Sequence, residues 1–133
     1  MQLPHGTTVA VADGEKLILL RNQGDEAKIE LVAVPDLDVT PVNAGAGGHR
    51  NSTGDHDGGQ QGEDNFSAGV VEALNRQVLQ GQIKNLVVIA SPRNLGELRK
   101  HYHKALTAVL IGEMDKDLTG HTTADIEKAV LAN

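Results

Sequence analysis

Residues 86–90 read Leu-Val-Val-Ile-Ala, an unbroken apolar run with Asn85 before it and Ser91-Pro92 after it. Side chains along a strand alternate between faces, so a strand with no polar alternation is buried on both. The run is far too short to span a membrane and has the length and β-branched content of a strand. It therefore requires a packed layer on each side of a sheet and a central place within that sheet, which directs the chain to an α/β architecture.

The flanks supply the helices. Asn65 is a capping-type residue ahead of Phe66, Val70, Ala73, Leu74 and Val78, whose spacing lays one apolar stripe down an amphipathic helix that Gly81 is placed to end. Ser91 and Pro92 supply a cap and a proline at the first position of a second helix, with Leu95, Leu98, Tyr102 and Ala105 or Leu106 inward and Arg93, Arg99, Lys100 and Lys104 outward. Residues 107–114 fit another strand, and their Ala-Val-Leu-Ile centre fits an extension of the helix equally well. A capping-box-like segment from Thr122 to Asp125 opens a last helix carrying Ile126, Val130 and Leu131.

The first third has a different rhythm. Residues 7–12 and 16–21 are rich in Val, Ile and Leu and flank Asp13-Gly14-Glu15, where Asp-Gly offers the positive φ angles of a tight hairpin. After a polar turn at 22–26, residues 27–34 alternate through Ile29, Leu31 and Ala33 and end at Pro35. The expectation is a mixed β-sheet, an N-terminal antiparallel meander followed by parallel strands joined through right-handed crossovers, with about three helices.

All 133 residues fit one domain, with a long glycine-rich loop over 41–65 in which seven residues are Gly. One Tyr, one Phe and no Trp leave an aliphatic core and nothing on which to stack bases. A formal charge of −6 opposes DNA and anionic membranes. Zero cysteines exclude disulfides and thiolate chemistry and fit a reducing, cytoplasmic setting. Met1 is followed by Gln2-Leu3-Pro4-His5-Gly6, without the basic and apolar regions of a signal peptide.

Within the loop, Gly45-Ala46-Gly47-Gly48 lacks both the glycine pattern of a dinucleotide fingerprint and the lysine of a P-loop. His49, Asp55, His56 and Asp57 lack metal-ligand spacing and fit a solvated loop, and His101 and His103 point apart on a helix. No metal or cofactor is expected. Glu113, Asp115 and Asp117 fit a carboxylate group or ordinary turn chemistry. Arg93, Arg99, Lys100 and Lys104 form the one basic cluster, either a surface for an anionic partner or a solvated helix face.

The segments Leu-Val-Val-Ile-Ala-Ser-Pro at 86–92, Asn-Leu-Gly-Glu-Leu-Arg at 94–99 and Gly-Glu-Met-Asp-Lys-Asp-Leu-Thr-Gly-His at 112–121 resemble the bacterial host-attachment protein family over nearly the whole chain. That family is known as required for attachment to host cells, and is similar to the middle domain of archaeal and eukaryotic peptide-chain release factors and of Pelota. In those release factors a Gly-Gly-Gln triplet sits in a flexible loop before a long helix, and this chain has Gly58-Gly59-Gln60 six residues ahead of Phe66. The resemblance implies that Gln60 coordinates a water and stabilises the transition state of peptidyl-transfer-RNA hydrolysis, with the ribosome and transfer RNA as partners. The local charge opposes this, since Arg50 is the single cation against Asp55, Asp57, Glu63 and Asp64. A non-catalytic interaction or regulatory domain bound to another protein is thus the favoured reading, with ester hydrolysis as the alternative.

Overall fold

Strict alternation in the first strand divides the interior into two halves. Val9 and Val11 point to one face of the sheet and Ala10 and Ala12 to the other, all four buried. The computed structural model describes residues 1–35, 37, 39–41 and 58–133. Its strands are β1 (Thr8–Ala12), β2 (Leu17–Asn22), β3 (Leu31–Ala33), β4 (Leu86–Ile89) and β5 (Leu110–Met114). Its helices are α1 (Gly58–Leu79), α2 (Pro92–Arg99), α3 (Lys104–Val109) and α4 (Thr123–Leu131). The sheet order is β3-β2-β1-β4-β5, with β2 antiparallel to both β1 and β3, and with β1, β4 and β5 parallel. The meander and the later parallel strands thus stand as the sequence implies, and β4 is one strand in from the edge with all four residues buried.

Helices cover both faces, as the apolar run of β4 requires. Leu86, Val88, Ala10 and Ala12 meet Val70, Val71 and Leu74 of α1, Leu95 and Leu98 of α2 and Leu106 of α3. On the other face Val9, Val11, Leu20, Val87, Ile89 and Met114 meet Ile126 and Val130 of α4, with Leu3 and Leu118 beside them. Small residues let α1 sit close to its surroundings. A Cβ on Gly69 would fall 2.3 Å from the carbonyl oxygen of Thr40, so only glycine admits the chain passing there.

Four expectations change. The hairpin tip is held by the Asp13 carboxylate, whose Oδ1 accepts the N–H groups of Glu15 and Lys16 at 2.7 and 2.6 Å, while positive φ among the described residues occurs only at Gly6 and Gly81. The third strand is only Leu31–Ala33, because Asp25 Oδ1 accepts from the N–H of Ala27 and Lys28 and folds 25–28 into a turn. The second helix is broken, giving four helices among the described residues rather than about three. Asn75 of α1 donates to the His101 carbonyl and accepts the His103 N–H, and the His103 ring then caps α3 by accepting from Ala105. Residues 107–114 divide at Val109, helix before and strand after.

The fourth change is the start of α1, at Gly58 rather than near Phe66, so the loop proposed for 41–65 ends earlier and Asn65 is internal to the helix. The apolar stripe is silent about these first two turns because they contain no apolar residue before Phe66. A hydrogen bond from Gln61 Nε2 to Asn65 Oδ1, one turn on at 3.0 Å, supports the helix there. Gly81, at φ +77°, stops α1 as anticipated, with its N–H bonded to Val78 O at 3.0 Å. Ser91 caps α2 and Thr122 caps α4 through their side chains.

Candidate functional site

Parallel β1, β4 and β5 all finish at one edge, and in open α/β sheets ligands gather beyond such carboxyl ends. Four segments meet there: the hairpin tip at 13–16, the start of α1, the start of α2 and the turn after β5. The hairpin and α1 touch, since a Cβ on Gly14 would lie 2.5 Å from the Glu63 Cγ. The hairpin and the turn are tied by the Thr119 hydroxyl, which lies 2.8 Å from Asp13 Oδ2 and 3.1 Å from Asp117 Oδ1. Partial burial works against ionisation of Asp13, but the hydrogen bonds from Glu15, Thr119 and Lys16 prevail and hold its carboxyl below the usual range.

Gly58, Gly59 and Gln60 form the first turn of α1, three to five residues ahead of Glu63 and hence at this same edge. The first N–H groups of any helix have no intrahelical acceptor and lie at its positive pole. Backbone N–H groups of Gly58, Gly59 and Gln60 occupy those positions. Residues 42–57, with His49, Arg50, Asp55, His56 and Asp57, lie outside the described residues, as does the Gln60 side chain.

The basic cluster is less free than its sequence suggests. Arg99 reaches Glu113 Oε1 with Nε at 3.0 Å and Nη2 at 2.6 Å. Lys100 meets Glu97 Oε1 at 3.0 Å, and His101 lies 3.4 Å from the other oxygen of Glu97. Arg93 and Lys104 stand exposed at the starts of α2 and α3. Thus two of the four cations already serve carboxylates of the chain itself.

Sequence reasoning marked Glu113 as a turn-side carboxylate; its partners came only with the fold. Tyr102 donates its hydroxyl to Glu113 Oε2 at 2.7 Å, opposite Arg99 on Oε1. Burial opposes the Glu113 charge, yet Arg99 and Tyr102 together keep its carboxyl below the ordinary range. Burial first, then the hydrogen bond and charge of Glu113, push the Tyr102 phenol well above its ordinary value. Beside them is a cavity of about 340 Å³ lined by Pro92, Leu95, Arg99, Glu113 and Asp115. Among the described residues no three His, Asp or Glu side chains converge as metal ligands, and no helix is long and apolar enough to cross a membrane.

A mixed sheet between two helical layers, with a glycine-led helix beginning at the carboxyl edge of its parallel strands, defines an α/β domain of release-factor-like type. The chain belongs to bacterial archaeo-eukaryotic release factor family 12, whose pattern matches residues 6–130. No curated protein matches it.

Proposed function

We propose that this domain acts in translation, hydrolysing the ester that joins a peptide to transfer RNA, with Gly58, Gly59 and Gln60 as its working residues. The observation that carries the proposal is a Gly-Gly-Gln triplet at the head of α1 in a member of a release-factor family; it stands in the first turn of that helix, where the resemblance implies a flexible loop just ahead of it. Water attacks the ester carbonyl, a new C–O bond forms, the bond to the ribose oxygen breaks, and that oxygen takes up the proton. N–H groups at the start of α1, which no carbonyl within the helix can accept, suit the oxyanion that develops, and two glycines let backbone approach where a Cβ would collide. Gln60 is assigned the water. No ionisable side chain is needed, so ribosomal surroundings can supply the rest, and action in the cytoplasm follows. Attachment to hosts would then be an indirect consequence.

The test is peptide release from stalled ribosomes by the wild-type chain and by Gln60→Ala. Alanine preserves helix propensity, so the fold is retained. Losing one group that stabilises the transition state lowers release about 100-fold or more. Equal activity of the two, or none in either, overturns the proposal.

One observation favours the second reading, a non-catalytic protein-interaction domain: two of the four basic residues are internally paired, which weakens the chain's grip on phosphates. That reading predicts no co-sedimentation with ribosomes at physiological salt.

A further inference from the structure

Strand β5 carries one residue more than its partner. Leu86 pairs with Leu110 but Val87 pairs with Gly112, so Ile111 is an unpaired bulge residue, 40% exposed. Leu110 packs toward α1, α2 and α3. Simple alternation from Leu110 would turn Glu113 to the opposite face, into the aliphatic cluster of Leu3, Val9 and Ile126. The extra residue reverses the phase. Met114 enters that cluster, and Glu113 shares the face of Val88 and reaches Arg99 and Tyr102. Bulges recur where a side chain has to be re-aimed, and here the re-aimed group is a carboxylate beside a cavity.

The lining of that cavity selects a ligand. Pro92, with the nearly buried Leu95 beside it, gives a mainly polar lining a small apolar side; Arg99 and Glu113 cancel one another; Asp115, exposed, leaves one negative charge. Arg93 and Lys116 are not among the lining residues. An anion would face two carboxylates, and a wholly apolar ligand would strip water from three charged groups without replacing it. A cationic head on an aliphatic stem satisfies both parts, the stem against Pro92 and Leu95 and the head at Asp115 and the remaining acceptor position of Glu113. At about 340 Å³ the cavity is at the small end of ligand sites, sized for one side chain rather than a nucleotide.

We infer that this cavity receives an arginine side chain of a partner polypeptide. Arginine is favoured over lysine because its planar fork matches two carboxylates and it sheds water more readily. The inference is independent of ester hydrolysis at Gln60.

The experiment is an amide-resolved NMR titration of the full chain with N-acetyl-arginine amide, with N-acetyl-glutamate amide and inorganic phosphate as opposing probes. The arginine probe shifts resonances at Leu95, Arg99, Glu113 and Asp115. Asp115→Asn weakens it about fivefold, the scale of one ion pair. Asp125→Asn, on the far face in α4, leaves it unchanged. The inference is overturned if the arginine probe moves nothing, if glutamate or phosphate moves the same resonances as strongly, or if Asp115→Asn binds like wild type.

Discussion

Tyr102 is the chain's only tyrosine and there is no tryptophan, so tyrosinate absorbance in the near ultraviolet reports one group without interference. In the fold its phenol is mostly buried and donates to a carboxylate, so deprotonation would leave two anions in contact. Ionisation is therefore displaced well above the free phenol value of about 10. The sign of the linkage follows. A group whose value is raised by folding contributes its full stability below the unfolded value, and that stability is lost as pH rises beyond it toward the folded value. With the unfolded chain ionising near pH 10, stability falls as pH rises past that value, by at most about 1.4 kcal/mol per pH unit and by less to the extent that water screens this partly exposed phenol. The assay is a spectrophotometric titration run beside far-ultraviolet circular dichroism, so that ionisation is read only where the chain is still folded. Glu113→Gln removes the charge but not the burial, and brings the titration down without restoring the free value. A half-titration near pH 10 in the folded wild type, or an unchanged curve in Glu113→Gln, would refute the reasoning.

Two further outcomes follow from buried or hydrogen-bonded polar groups. Asn22 is fully buried, donates to Leu3 O and accepts from Gly24 and Glu30 N–H, each at 2.9 Å. Asn22→Ala orphans all three and costs about 3 kcal/mol, a fall of about 10 °C in melting temperature measurable by calorimetry. For Asp13, whose carboxyl value is depressed, the contribution is present above the unfolded value near 3.9 and disappears as pH falls through the folded one. Asp13→Asn keeps an acceptor for Glu15 and Lys16, so urea melts between pH 5 and about 2 should show a shallower acid loss than wild type; parallel curves would contradict the assignment.

Local chemistry made much of the fold legible. Leu86 through Ala90 had to lie within a sheet covered on both faces, Gly81 had to end a helix, and Ser91 and Thr122 had to begin others, because burial pattern, left-handed φ and capping act within a few residues. The Gly58-Gly59-Gln60 triplet was equally visible, although its helical backbone was not, since glycine-rich segments give no periodic signal. What the tertiary structure alone decided involves partners distant in sequence. Asn75 breaks the second helix from 26 residues away. Pairing with β4 exposes the bulge at Ile111, and that bulge chooses the face on which Glu113 stands. A strand's alternation is a local rule, but its phase is set by register against a neighbour, so the carboxylate, its arginine and its tyrosine become one cluster only when the sheet is assembled.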